Sequence, residues 1–315
     1  RLFYTAPAVV TGLARIFRDL DPQVVVGTGG YASGPAVLHG IFSGRRTALQ
    51  EQNAIPGLVT RRLAPRVDRI FLGYPEAADH LKTGADTRVF SWGNPVSIAQ
   101  KRRRNGAVGS RWPEGRVVAV IGGSQGARGL NRRLAADLSS AAHWPDDTTL
   151  VWITGPDHLA SVREAIAGSR WAERILTLPW VDQLGARLAG VDLAIARAGA
   201  MFCSELAAAG VPAVLVPYPA AAGNHQVHNA AALSAAGAAV MLEEGSMEEG
   251  DLWEEVLSLL AEEERLLRMA EAMASRGRPD AAARIARELL DLAAEPSGVR
   301  DRDLRNDDGV VHADV

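Results

Sequence analysis

Short, unbroken apolar runs recur along the chain: VVVG (24–27), TALQ (47–50), RIFLG (69–73), RVFSWG (88–93), VVAVIG (117–122), TLVWIT (149–154), ILTL (175–178), DLAIA (192–196) and AVLVP (213–217). They are continuous rather than alternating, the pattern of parallel strands buried on both faces. Alanine-rich stretches between them, such as NRRLAADLSSAA and ELAAAG, have the composition of crossover helices. At the start, Leu13, Ile16, Phe17 and Leu20 share one face of a helix that runs into the first strand. Near the far end, LWEEVLSLLAEEERLLRMAEAMA and DAAARIARELLDLAAE are amphipathic at helical spacing. The pattern predicts an α/β fold with doubly wound parallel sheets.

Periodicity lapses after GNPV (93–96), where SIAQKRRRNGAVGSRWPEG collects Arg, Gly and Pro. The expected organisation is therefore an N-terminal α/β unit over 1–96, a linker over 97–115, a second α/β unit over 116–290 and a disordered tail over 291–315. The basic run KRRR reads as a solvated part of the linker, with a phosphate or anionic-lipid contact as the alternative. A chain opening at Arg1 on a crossover helix, with no strand to feed it, reads as a fragment of a longer one.

Composition narrows the class. At 315 residues, with 47% hydrophobic and 23% charged residues, the chain can bury two ordinary cores. A formal net charge of −3 supplies no basic field for nucleic acid. The single cysteine, Cys203, excludes an intrachain disulfide and suits a reducing compartment. The most apolar stretch, 207–223, carries three prolines and so does not form a membrane span. The expectation is a soluble, cytosolic protein.

Candidate chemistry lies at the carboxyl ends of the strands, where ligands of open α/β sheets bind. In IGGSQGARGLN, Gly122, Gly123, Ser124 and Gly126 precede a helix, whose unpaired N–H groups and positive dipole end favour an anion. The loop is neither a P-loop nor a full dinucleotide fingerprint, so a purely structural turn stays open. GTGGYASGP places Tyr31 after the first strand, and LQEQN places Glu51, Gln52 and Asn53 after the second. A carboxylate and amides there suit sugar hydroxyls or a proton; a solvated loop is the plainer reading of Glu51. RAGAMFCSE sets Glu205 early in a helix, as a dipole partner or as an acceptor for a ribose diol. Arg197 in the same segment suits an anion contact or a salt bridge. NHQVHNA clusters Asn224, His225, Gln226 and Asn229, a set suited to neutral hydroxyls. His225 and His228 lack a third ligand nearby, so no metal site is expected.

Taken in order, GGYASGP, EQNAIPG, GNPV, GGSQGARGLN, RAGAMFCSE and NHQVHNA resemble the MurG family, the bacterial N-acetylglucosaminyltransferases of peptidoglycan synthesis in glycosyltransferase family 28. The resemblance covers residues 1 to about 290. It implies a GT-B fold, with two Rossmann-like domains facing a cleft and the first of them incomplete. It implies UDP-N-acetylglucosamine as donor, with no cofactor or metal. It implies lipid I, undecaprenyl-pyrophosphoryl-N-acetylmuramoyl-pentapeptide, as acceptor and lipid II as product. The donor residues it implies are Gly122, Gly123, Ser124 and Gly126 for the diphosphate and the backbone near Val181 for uracil. It adds the segment Arg197, Gly199, Ala200, Met201, Phe202, Cys203, Ser204 and Glu205, with Glu205 on the ribose. Gln226 and His225 would meet the sugar, and Asn53 would approach from the first unit. Tyr31 and Glu51 match acceptor-side residues and stand as the catalytic candidates, while the family's leading base candidate lies upstream of Arg1.

The resemblance also implies a cytoplasmic protein, peripheral on the inner face of the bacterial membrane, with cell-wall synthesis or division proteins as partners. Leu2, Phe3, Tyr4, Val9 and Val10, beside Arg1 and Arg15, are the candidate membrane contacts; helix core is their alternative reading. The chain departs from the family pattern at Gln50 in place of His, Ser97 in place of Arg and Phe202 in place of a small Thr. Three alternatives stay open: another UDP-sugar GT-B glycosyltransferase, a UDP-N-acetylglucosamine 2-epimerase, or a non-catalytic donor-binding fragment.

Overall fold

The computed structural model describes residues 2–96, 112–123 and 126–295, with the side chains of 2–7 left aside. Ser97, Ser124, the KRRR run and the segment 296–315 lie outside the described residues. So do the side chains of Leu2, Phe3 and Tyr4.

Two parallel sheets form. The first has strands β1 (Val24–Gly27), β2 (Arg46–Glu51), β3 (Arg69–Leu72) and β4 (Arg88–Phe90), adjacent in chain order. The second has β5 (Arg116–Ile121), β6 (Thr148–Ile153), β7 (Ile175–Leu178), β8 (Leu193–Ala196), β9 (Ala213–Leu215) and β10 (Ala239–Met241). Its order, β7-β6-β5-β8-β9-β10, is the doubly wound arrangement that reverses direction between β5 and β8. The nine predicted runs all became strands. The tenth strand escaped the sequence reading because Ala239–Met241 is three residues long, at the sheet edge, and only partly buried.

Helices cover both faces, which is why the strands read as unbroken apolar runs. In the N-terminal half these are α1 (Leu2–Leu20), α2 (Gly30–Phe42) and α3 (Leu58–Leu63). In the C-terminal half they are α4 (Arg128–Ser140), α5 (Leu159–Ile166), α6 (Leu184–Arg187), α7 (Ala200–Ala209) and α8 (His225–Ala235), then α9 (Asp251–Ala261), α10 (Glu263–Arg276) and α11 (Ala281–Ala294). Leu130, Leu134 and Leu138 of α4 pack with α9 on one face of the second sheet. Leu206 of α7, Leu233 of α8 and Met273 of α10 pack on the other.

Chain order misleads for α11. Its sequence position assigns it to the second unit and its end to a tail beginning at 291. Instead it returns to the first sheet, where Ala281, Ile285 and Leu292 bury against Ala48 and Phe71, and it remains helical through Ala294. Arg69 of β3, almost wholly buried, pairs with Glu288 at 2.6 Å and also with Glu295. An apolar helix face next to a buried guanidinium explains the docking: the sheet face needs cover and Arg69 needs carboxylates.

The two halves also share a core. Ala54 and Tyr74 of the N-terminal half belong to the apolar cluster beneath α7 and α8. Glu76 accepts two hydrogen bonds from Arg276, at 2.7 and 2.8 Å. Because Leu292 is fully buried between α11 and the first sheet, Leu292→Ala should lower unfolding free energy by about 2–5 kcal/mol, through lost burial and a residual cavity. Urea unfolding followed by circular dichroism would read this as a lower midpoint.

Candidate functional site

The carboxyl ends of both sheets face one cleft, and the reversal between β5 and β8 leaves a crevice in the second sheet. Two cavities occupy it. The first, about 580 Å³, is lined by Gly123, Trp180, Val181, Gly185, Met201 and Glu205, with Phe202 in its wall. The second, about 570 Å³, is lined by Gly122, Gly126, Arg197, Gly199, Tyr218 and Gln226, and again by Phe202. Phe202, with Ile121 and Gly123, borders both.

Local sequence explains the crevice. Gly123 and Gly126 take φ of +92° and +78°, a region that penalises a Cβ. A Cβ on Gly126 would also run into the carbonyl oxygen of Thr154, and one on Gly122 into the Ala127 amide. The glycines therefore let β5 turn tightly into α4. After β8, Gly199 caps α7 without a side chain, leaving the first-turn N–H groups of Ala200, Met201 and Phe202 at the crevice. Two helix starts converge on one place.

Glu205 has its carboxylate half-buried in the first cavity, and among the described residues no side-chain partner holds it. Burial pushes its carboxyl above the ordinary range near 4.5. A carboxyl with that environment is a candidate ligand contact.

Arg197 lines the second cavity but is committed to the protein on one side. Its Nη1 donates to the Val216 and Pro217 carbonyls at 3.2 and 3.1 Å and lies 2.6 Å from Glu244, out of line for a hydrogen bond. Its guanidinium also sits over the Tyr218 ring. The salt-bridge reading accounts for this edge of the side chain. Gln226 Oε1 accepts from the Tyr218 amide at 2.9 Å, so the same loop is held twice.

A third, smaller cavity of about 220 Å³ lies across the cleft, lined by Tyr31, Glu51, Asn53, Thr60 and His225. Tyr31, 81% exposed, projects at the start of α2. His225 is therefore parted from Gln226, which faces the second cavity; the His225 Nδ1 is buried with no partner among the described residues.

Three expectations need correcting. Glu51 is 2% exposed rather than solvated, and both its oxygens are taken. Oε1 accepts from the Asn53 amide at 3.1 Å and from Asn53 Nδ2 at 3.3 Å; Oε2 accepts from the Gly57 amide at 3.0 Å and from Thr60 Oγ1 at 2.6 Å. A carboxylate so engaged shapes the loop 53–60 and leaves no free lone pair for a catalytic proton. Cys203 lies on the inner face of α7 against Tyr74, where burial pushes its thiol up to about 12, and it lines neither cavity of the crevice. The side chains of Ser204 and Ala200 likewise line neither cavity of the crevice; Ser204 Oγ accepts from Asn94 at the junction of the halves. Helical geometry is the reason: of the segment 200–205, only the face bearing Met201, Phe202 and Glu205 looks into the crevice.

The sequence reading also missed residues. Trp180, 53% exposed at the rim of the first cavity, and Gly185, whose lack of a side chain leaves room beside Glu205, both follow β7. Their position just past a strand's carboxyl end was the available signal. Asn94, buried in the junction, belongs to the GNPV motif, yet neither its type nor its spacing assigned it a role. Gln50, the departure from His, donates to Asn94 Oδ1 at 3.1 Å. Among the described residues no group of three or more side chains could hold a metal ion, and no helix is long and apolar enough to cross a membrane. Val9 and Val10 are exposed on α1.

Models of the glycosyltransferase family 28 N-terminal and C-terminal domains match residues 3–72 and 117–285, the second of these more than half of the chain. The chain belongs to glycosyltransferase family 28. A family relative from Salinibacter ruber is 40% identical over 90% of this chain and 76% of its own length. It is named as a UDP-N-acetylglucosamine–N-acetylmuramyl-(pentapeptide) pyrophosphoryl-undecaprenol N-acetylglucosamine transferase. The crystal structure of Acinetobacter baumannii MurG superimposes with a TM-score of 0.75 at 25% identity, over 92% of this chain and 81% of that one. A Listeria monocytogenes protein described as a UDP-N-acetylglucosamine 2-epimerase shares the fold at a TM-score of 0.64 and 18% identity, over 88% of this chain and 76% of that one. The GT-B architecture of family 28, with parallel Rossmann-like sheets facing a cleft, is the one seen here.

The raised carboxyl of Glu205 has a consequence for stability. A group whose folded pKa exceeds its unfolded value stabilises the fold below the unfolded pKa, and that contribution is lost as pH rises through the folded pKa. At neutral pH, without ligand, Glu205→Gln should therefore match or exceed the parent in melting temperature, and the gain should vanish below about pH 4, near the ordinary glutamate range. Thermal scans from pH 3 to 8 would show it; a variant less stable than the parent at pH 7 would refute it.

Proposed function

We propose that this chain carries the N-acetylglucosaminyltransferase activity for which its relatives are named. It moves N-acetylglucosamine from UDP-N-acetylglucosamine to lipid I and releases UDP and lipid II. The observation that carries the reading is the pair of cavities at the sheet reversal, with a half-buried carboxylate that has no side-chain partner among the described residues in one and two helix N-termini at the other. In this reading uracil lies against the backbone near Val181 and the rim of Trp180. The ribose diol donates to Glu205. The diphosphate meets the glycine loop, Ser124 included, and the first turn of α7, with Arg197 beside it. The sugar extends past Gln226 toward His225 and Asn53.

The acceptor hydroxyl attacks the anomeric carbon, the bond from that carbon to the diphosphate oxygen breaks, and the hydroxyl proton passes to a base. Negative charge grows on the departing diphosphate, where N–H groups fixed at two helix starts stabilise it without reorganising. Tyr31, exposed across the cleft, faces the acceptor. Glu51 acts through the loop it holds. The lipid acceptor implies work at the inner membrane surface, with α1 and the loops of the first sheet nearest to it.

Titration calorimetry tests the donor half of this reading. UDP-N-acetylglucosamine should bind, and more tightly than UDP-galactose. Glu205→Ala should weaken it by about tenfold or more, since hydrogen bonds to a charged acceptor are worth ~1.5–3 kcal/mol. Because a diol needs an acceptor, parent affinity should fall on acidification through the raised Glu205 pKa, and Glu205→Gln should remove that dependence. Binding that ignores both the substitution and pH would overturn the assignment.

A further inference from the structure

Two buried asparagines, one from each half, cross the junction in opposite directions. Asn94, just beyond β4, is 1% exposed. Its Nδ2 donates to the Gln52 carbonyl at 3.0 Å and to Ser204 Oγ at 2.9 Å, while its Oδ1 accepts from Gln50 at 3.1 Å. Asn229, in α8, is wholly buried. Its Nδ2 donates to the Ala198 carbonyl at 3.1 Å and to Asn53 Oδ1 at 3.2 Å, while its Oδ1 accepts the Ala54 amide at 2.8 Å. Backbone carbonyls only accept, so Gln52 and Ala198 fix which end of each amide is nitrogen. Both side chains use their two N–H groups and their oxygen. The seat of Asn94 exists because position 73 is glycine; a Cβ there would overlap the amide.

Between them they grip three consecutive residues, Gln52, Asn53 and Ala54, and tie them to Ala198 and Ser204. Those two points bracket the first turn of α7, whose other face carries Phe202 and Glu205 into the crevice. Glu51 stiffens the same loop from behind. We propose that Asn94 and Asn229 are positioning residues that lock the loop 52–57 to helix α7, so that occupancy of the donor cavities orders the acceptor-side loop. The inference rests on the donor reading above.

The physical ground is the cost of letting go. Pulling the loop from α7 would strand several buried amide groups with neither protein nor water to replace their hydrogen bonds. Shifting a short loop along with a rigid helix costs less than that. The loop therefore follows α7, and a ligand that fixes α7 fixes the loop.

Hydrogen exchange on the full chain, with and without saturating UDP, tests it. In the parent, UDP should slow exchange across 52–57 by about fivefold or more, the lower end of ordinary coupling between sites. Asn94→Ala and Asn229→Ala, saturated with UDP as verified by calorimetry, should lose that slowing. Ser204→Ala removes only the receiving hydroxyl and reads the same link if Asn94→Ala fails to fold. A merely structural role would speed exchange equally in both states and leave the UDP effect intact, which overturns the proposal. UDP bound by the parent with no change across 52–57 overturns it too, yet leaves the donor reading standing. Absence of UDP binding by the folded parent overturns both.

Discussion

Helix α7 is constrained on two faces at once, and most of the molecule is arranged around that fact. One face, with Phe202 and Glu205, forms the wall of the crevice in the second sheet. The other, with Cys203 and Leu206, closes the apolar core that the C-terminal half shares with Ala54 and Tyr74 of the N-terminal half. Ten residues cannot move on one face without moving on the other. The packing that holds the halves together therefore also sets the shape of the cavities.

The chemistry of the site follows from what that packing leaves unsatisfied. Arg197, Glu51 and Asn229 are polar, buried and fully or largely paired, so they stabilise loops. Glu205 differs from them: it is half-buried with no side-chain partner among the described residues, and burial raises its carboxyl. A carboxyl so raised is a common mark of a ligand site. The two helix starts beside it have no side-chain cap at Ala127 or Gly199, so their first-turn N–H groups lie next to the carboxylate's cavity.

A second economy appears at the first sheet. Its outer face is covered by α2 and α3, and its inner face by α11, a helix that arrives from the end of the described chain. The halves are tied by this return, by the Glu76–Arg276 pair and by the crossed asparagines. A cleft enzyme needs walls whose separation is defined, and three links of different chemistry define it here.

Much of this was legible in the sequence alone. Nine strands, the α/β class, the glycine turn at 122–126 and the carboxyl-edge location of Tyr31, Asn53, Glu205 and Gln226 all follow from local pattern. Local pattern suffices there because buried parallel strands must be apolar throughout and tight turns must be glycine. Tertiary structure alone decided which side chains of each segment face a ligand. Glu51 turned inward because the loop 53–60 offers it four donors, and Cys203 and Ser204 fell on the junction side of α7 by helical rotation. Helix α11 crossed to the first sheet to cover an apolar face and to pair with Arg69. Asn94 and Asn229 gained their partners from strands and loops remote in sequence. Direction, pairing and burial depend on contacts between distant segments, and no single stretch of residues encodes them.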